Sequence, residues 1–447
     1  FEGIGVQFNM LEDTLVVIQA IAKGPSQKAG ITNGDRIVSV DGRPIAGVKL
    51  ERDSIMKLLR GPKGTKVSLG IVRPSVNGVL TFVVTRDKIP MNTLDAAYMI
   101  APGVGYIRLD RFGATSGKEV REAIARLQKQ GMKDLLFDLE SNGGGYLGAA
   151  VDVASQFLNP RDLVVYTEGR ATPKQVFEAQ SGGLFRKGRL IVLVDEFSAS
   201  AAEIVTGAVQ DHDRALVVGR RTFGKGLVQR PIDLPDGSMI RLTTSHYFTP
   251  SGRCIQKPYV PGQKEDYSQD LEKRFKHGEL IHADSIHLDS SKVYHTLVEH
   301  RKVYGGGGIM PDVFVPLDTA AYTKYYLAMR RYNLFNDAVL RYVDKNRAAL
   351  LDRYKRFDDF EKNFEVPAEL IARVEAEAAK KKVTPKDEAE RKATMDDLKF
   401  VLKCLIAYDV WDRNEYYTLV NRRNDVVKEA LRQLTTNRSI PTGTRSR

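Results

Sequence analysis

At 447 residues the chain is longer than one ordinary hydrophobic core organises, and roughly two or three domains are expected. With 42% apolar and 28% charged residues it has a globular balance, and no apolar run approaches the length that crosses a bilayer, so no transmembrane segment is expected. Two cysteines, Cys254 and Cys404, are too few for a four-thiolate metal site and too far apart in sequence for a disulfide framework. The net charge of +12 would suit nucleic acid, but acids and bases interleave. Lys380, Lys381 and Lys382 stand among Glu375, Glu377 and Glu388 as on a solvated helix face, and no nucleic-acid partner is expected. The chain opens at Phe1 inside patterned sequence, which reads as a processed start and says nothing of compartment.

Residues 1–88 read as a small β-rich module. Apolar strands at 14–20, 36–40, 66–72 and 79–85 are separated by turn signals such as Asn33-Gly34-Asp35 and Asp41-Gly42, with a helix near 48–59. Residues 89–100 read as a connector. From Gly103 strands alternate with helices: a strand at 104–109, then a helix over 116–130 with Val120, Ile124 and Leu127 on one face and Gly131 as its stop. A strand at 135–139 leads through Asn142-Gly143-Gly144-Gly145 into an apolar helix, and strands at 190–194 and 215–219 follow. This predicts an α/β core with a sheet covered by helices over 89–317. Polar, His-containing residues 256–304 read as an insertion, after which the core resumes. Residues 318–447 read as a helical C-terminal region whose stripe Leu398, Val401, Leu402, Leu405 and Ile406 is expected to be packed. What it packs on (the core, a second copy as a homo-oligomer, or an adaptor protein) stays open, and the tail after Asn437 is expected to be disordered.

Ser198-Ala199-Ser200-Ala201-Ala202-Glu203 follows a buried-type strand at the start of a helix, where unpaired N–H groups and the helix dipole favour negative charge. A serine there can attack a carbonyl while the next amide steadies the oxyanion; the same serines would also serve as plain helix caps. Thr222-Phe223-Gly224-Lys225-Gly226 bears on that choice. It resembles a phosphate-binding loop, but Gly226 stands where a magnesium-binding Ser or Thr is needed, and extended chain follows in place of a helix. A lysine leaving a strand edge can instead be buried with a neutral amine, which makes it a general base.

These segments, with Gln210-Asp211, Arg214-Ala215-Leu216 and Gln229, resemble the carboxyl-terminal processing peptidases, or tail-specific proteases, which are PDZ-containing serine peptidases with a Ser-Lys dyad. The resemblance implies Ser200 as nucleophile, Lys225 as base and Gln229 as the residue that orients the lysine, with Ala201 and Gly145 supplying oxyanion N–H groups. Gly3-Ile4-Gly5-Val6 resembles the carboxylate-binding loop of a PDZ domain, so the implied partners are protein or peptide substrates with free C-termini. Thr249–Arg253 and Gly308–Asp312 match as well, and the likeness runs over about residues 2–315. It implies a core of the ClpP/crotonase kind, no cofactor or metal, and a cell-envelope, periplasmic location. Two positions depart from the pattern: Ala202 where a serine is usual, and Glu140 where an arginine is usual, which reverses a charge beside the oxyanion turn.

Rival readings are a zinc hydrolase using His295, Glu299 and His300, whose spacing fits neither common zinc motif; a Ser-His-Asp triad using His212 or His246; a CoA-thioester enzyme; and a PDZ scaffold on an impaired protease core.

Overall fold

The computed structural model describes all residues except Phe1, Glu12, Ala22, Lys23, Pro74, Ser75, Pro90, Met91, 259–263, Ala320, Ala321, Arg438 and 444–447. The chain forms two compact units, one of Phe1–Met91 with Ala320–Leu419 and one of Asn92–Thr319 with Val420–Arg447. Among the described residues no helix is long and apolar enough to cross a membrane.

In the first unit, Val6–Leu11 (β1), Thr14–Ala20 (β2), Arg36–Val40 (β3), Lys66–Val72 (β4) and Val79–Thr85 (β5) form an antiparallel sheet in chain order. Strand alternation sends Leu15, Val17, Val67, Leu69 and Ile71 into one core with Ile55 and Leu59 of helix Arg52–Leu59 (α1).

The second unit is built on Leu94–Ala101 (β6), Val104–Leu109 (β7), Asp134–Asp138 (β8), Leu190–Val194 (β9), Leu216–Gly219 (β10) and Val313–Phe314 (β11), in the order β11-β10-β9-β8-β7-β6. All neighbours are parallel except β6, which pairs antiparallel at the edge. Every residue of β9 is buried, as its unbroken apolar run requires of a central parallel strand. Helices Ser116–Lys129 (α2), Leu147–Ala154 (α3) and Ala201–Asp211 (α4) cover the sheet, with Val120, Ile124 and Leu127 packed among Ile107, Phe137 and Val192. A second, antiparallel sheet of four strands runs Thr172–Glu178, Leu163–Gly169, Met239–Phe248, Leu227–Asp233.

The expected connector at 89–100 instead contains β6. Its alanines are poor strand formers, and pairing with β7 overrides that preference. Helices Leu334–Arg353 (α5) and Glu388–Val410 (α6) belong to the first unit. Leu398, Leu402 and Ile406 are fully buried in α6, which packs on α5. Leu340 of α5 in turn covers Val16 and Ile18 on the outer face of β2, which is why that strand is apolar on both faces. Helix Asp425–Thr436 (α7) packs beside β9 and β10. The tail expected to be disordered after Asn437 is partly ordered: Ile440 is buried and the Thr442 carbonyl accepts from the Gly188 N–H at 2.6 Å. Backbone pairing to Gly188 and Lys187, not local sequence, holds it.

Candidate functional site: three loops at one edge of the parallel sheet

Parallel strands end on the same side, so the segments that follow β8, β9 and β10 (139–145, 195–200 and 220–226) meet at one edge of the sheet. With the first residue of α4 they carry Gly145, Ser200, Ala201 and Lys225.

The segment after β9 is fastened from beneath. The Asp195 carboxylate accepts from the N–H groups of Phe197 and Ser198, at 3.0 Å each, and from Ser141 N–H at 2.8 Å. The Ser198 hydroxyl is buried and donates to the Leu139 carbonyl at 2.8 Å, so this serine is a structural tie. Ser200 is half-buried at the N-cap of α4 with φ 57° and ψ −114°, a backbone region that residues with a β-carbon seldom adopt. The N–H of Ala201 opens α4 and has no carbonyl partner within that helix.

Glu203 holds the strained segment. Its fully buried carboxylate accepts from Ser200 N–H (2.8 Å) and Lys225 N–H (2.9 Å) at Oε2, and from Gly224 N–H (2.7 Å) and the Thr222 hydroxyl (2.5 Å) at Oε1. Burial pushes its pKa up, against the pull of these four donors. The sequence contains Glu203 as the last residue of a Ser-x-x-Glu capping pattern, a signal that could have marked it. Nothing in that pattern announces the reach to Lys225.

In the glycine turn, Asn142 donates to the Leu109 carbonyl at 2.7 Å and accepts from Gly144 N–H at 2.9 Å, while its carbonyl accepts from Ala199 N–H at 2.9 Å. Gly144 (φ 95°) lies so close to the Ser200 segment that a β-carbon would stand 2.7 Å from Ser200 Cβ. At Gly145 (φ 151°) a β-carbon would stand 2.0 Å from the Phe112 carbonyl oxygen. The charge reversal at Glu140 therefore leaves a closely packed turn. Glu140 is buried, accepts from Asn424 Nδ2 at 2.7 Å, and is pushed up to about 8 by burial and by the neighbouring Asp138 and Asp195. Positive charge beside the turn comes from Arg108, which donates to Asp138 at 2.5 Å and to the Glu140 carbonyl at 2.8 Å.

Lys225 is half-buried, not buried as the sequence reading allowed. Its loop is fixed through its backbone: Phe223 N–H donates to the Ser198 carbonyl at 3.0 Å, Gly226 N–H to Gln256 Oε1 at 2.9 Å, and the Tyr247 hydroxyl to the Lys225 carbonyl. The buried lysine here is Lys257, with its ammonium 3.9 Å above the Phe223 ring and 3.1 Å from Asp270; burial lowers its pKa. Gln256, Lys257 and Arg274, which donates to the Thr222 carbonyl at 3.1 Å, come from the segment expected to be an excursion, and they brace the Lys225 loop. Gln229 lies exposed on the outer strand Leu227–Asp233, beside an irregularity between Val228 and Gln229.

His212 closes the far end of α4 from Ser200, with its ring on the Leu163 carbonyl at 2.8 Å; a helix of that length separates the two backbones by about 18 Å. His246 is exposed on Met239–Phe248. Among the described residues no group of three or more His, Cys, Asp or Glu side chains could hold a metal ion, so His295, Glu299 and His300 are not assembled as a zinc site.

In the first unit, Gly3, Ile4, Gly5 and Val6 line a groove of about 270 Å³ together with Met56 and Leu59 of α1. Gly5 has φ 75°, and the Ile4 carbonyl is held by the Ser26 hydroxyl at 2.7 Å, which fixes the loop at the mouth of the groove.

Residues 103–268 match Peptidase family S41, residues 3–83 a PDZ domain, and residues 325–412 a family of unknown function (DUF8443). The chain is 38% identical over 260 residues to a carboxyl-terminal-processing protease of Synechocystis sp., covering 57% of this chain and 60% of that protein. It is 33% identical over 287 residues to the carboxy-terminal processing protease CtpA of Bacillus subtilis, covering 62% and 60%. The match thus spans about 60% of the length of these curated relatives. Among solved structures it is similar to a photosystem II D1 C-terminal processing protease, at 28% identity with TM-score 0.36, covering 70% of this chain and 72% of that one. Residues 103–268 thus match an S41 peptidase domain behind a PDZ domain, and over this span the chain is similar to carboxyl-terminal processing proteases.

Proposed function

We propose that the protein is a serine endopeptidase that captures the C-terminal tail of a protein substrate in its PDZ groove and cleaves with Ser200 and Lys225. The observation that carries the reading is the Glu203 carboxylate, which bonds the backbone N–H of Ser200 and of Lys225 through one oxygen and so fixes two separate loops together. In this mechanism Ser200 Oγ adds to the scissile carbonyl carbon as the Lys225 amine takes its proton. The N–H groups of Ala201 and Gly145 donate to the oxyanion. Collapse expels the new amine, which takes the proton back from Lys225, and a water deprotonated by Lys225 then hydrolyses the acyl ester. Gln229 is assigned the orienting of the lysine from the family pattern alone, since it lies exposed on an outer strand.

Mass-spectrometric mapping of products from a protein substrate tests the reading. Ser200→Ala and Lys225→Ala each should abolish cleavage by several orders of magnitude, since nucleophile and base act as a unit. Amidating the substrate's C-terminus should weaken binding by about 1–3 kcal/mol, the cost of a lost charge-assisted bond. Equal cleavage of acid and amide would remove tail capture from the proposal. Glu140 favours one alternative, an impaired core that only presents the PDZ groove; failure of a fluorophosphonate probe to label wild type would establish it. The cell-envelope location belongs to the same proposal, and recovery of the native product whole from cytosol would count against it.

A further inference from the structure

Glu140 leaves β8 one residue before the turn 141–145, and its carboxylate receives its hydrogen bond from a residue near the end of the chain. Asn424 Nδ2 donates to Glu140 Oε2 at 2.7 Å, while Asn424 Oδ1 caps α7 by accepting from the N–H groups of Val426 (2.9 Å) and Val427 (3.2 Å). Three residues earlier, Asn421 Nδ2 donates to the Tyr98 hydroxyl at 2.8 Å. The Tyr98 ring lies 5.3 Å from that of Tyr106, whose hydroxyl donates to Asp138. Asp138 also accepts from Glu140 N–H at 2.7 Å. The start of the C-terminal segment is thus tied, by two asparagines, to the two acids from which the glycine turn departs.

We propose that Glu140 and Asn424 are positioning residues: their hydrogen bond lets the cap of α7 hold the turn that carries Gly145, so that the C-terminal helix keeps the oxyanion N–H in place. The inference rests on the serine-peptidase reading above and adds a regulatory consequence to it. The groups facing the Glu140 carboxyl are Asp138 on its own strand, Arg108 on β7, Asp195 after β9 and Asn424 before α7. Burial, then Asp138 and Asp195, push Glu140 up to about 8, so above that pH a third negative charge arises beside two aspartates. The turn then loosens and turnover falls on the alkaline side, although a lysine base alone would make the rate rise and level off.

Polarity exchange tests this. Asn424→Asp retains a capping oxygen for α7 but cannot donate to Glu140. Above about pH 8, where ionised Glu140 has no proton to share with the new carboxylate, it should lower kcat about tenfold or more relative to wild type at the same pH with little change in KM, the scale of a misplaced catalytic donor. Adding Glu140→Gln to it restores a bond in the reverse sense, from the glutamine amide to the aspartate, and should recover most of kcat and abolish the alkaline fall. The same proteins are followed by amide hydrogen exchange of 141–146, corrected for intrinsic pH dependence: exchange should quicken about tenfold in Asn424→Asp and return in the double variant. Wild-type kcat in Asn424→Asp at that alkaline pH, or a loss that Glu140→Gln does not rescue, overturns the proposal. If wild type shows no Ser200-dependent cleavage, the peptidase reading has failed, and the exchange data alone decide whether the tether holds the turn; unchanged exchange then refutes it.

Discussion

Glu203→Gln should both destabilise the catalytic unit and disable it. The carboxylate accepts four donors, two at each oxygen. A glutamine keeps one acceptor oxygen and turns an amide NH2 toward two of those donors. Facing it toward Ser200 and Lys225 would orphan both their N–H groups, so it should face Thr222 and Gly224. There the Thr222 hydroxyl can rotate to accept, and only Gly224 N–H is left opposed. One buried donor without a partner costs about 1–3 kcal/mol, and the remaining bonds lose their charge assistance, about 1 kcal/mol each. Relief of burying a charge returns part of this, since burial is the largest influence on Glu203 and raises its pKa. The net is a loss of about 3 kcal/mol, or a fall in Tm of about 6–12 °C for a unit of this size. The pH dependence has a defined sign: with the folded pKa raised, the wild-type carboxyl favours folding most below the unfolded value of about 4.5, and that advantage is lost as pH rises through the folded value. The glutamine variant lacks this slope. Peptide cleavage should fall about a hundredfold through displacement of Ser200 and Lys225. Thermal unfolding at pH 5, 6 and 7 beside kcat measurements is the assay; a Tm within about 1 °C of wild type with full kcat would refute the clamp.

Gly145→Ala should abolish cleavage while the PDZ groove still binds peptide, because its β-carbon would meet the Phe112 carbonyl at 2.0 Å; isothermal titration and a cleavage assay on the same sample check both. Arg253→Ala leaves the fully buried Asp211, its partner at 2.7 Å, without its charge partner and should cost about 3–5 kcal/mol in urea unfolding. Leu402→Ala empties a fully buried position between α6 and α5 and should cost about 2–5 kcal/mol, with catalysis by the other unit retained at low temperature. A loss under about 0.5 kcal/mol would mean that the stripe is not the core of those helices.

Local sequence was enough for every feature that depends on neighbours along the chain. The run Leu190–Val194 is apolar throughout because it is a central parallel strand, and the serine after it begins a helix because Ser-x-x-Glu caps one. Of the stripe Leu398, Val401, Leu402, Leu405 and Ile406, three members, Leu398, Leu402 and Ile406, are fully buried, while Val401 and Leu405 at its margin are half-buried. The family match followed from Ser200, Lys225 and the glycine turn as ordered motifs, without any distance between them.

What the sequence left undetermined is what lies opposite each motif. Phe112, Asn142, Gln256 and Lys257 surround the site only because parallel strands end on one side and deliver unrelated loops there. The edge strand Leu94–Ala101 exists because β7 offers it a ladder, and the outer face of β2 is apolar because α5, more than three hundred residues later, covers it. Glu140 is the sharpest case. In sequence it is a charge out of pattern beside a glycine turn; in the fold it is a buried carboxyl met by Asn424, 284 positions away. Periodicity and capping are properties of a few adjacent residues, whereas the dielectric around a carboxyl and the identity of its donor are set by chain segments that only tertiary packing brings together.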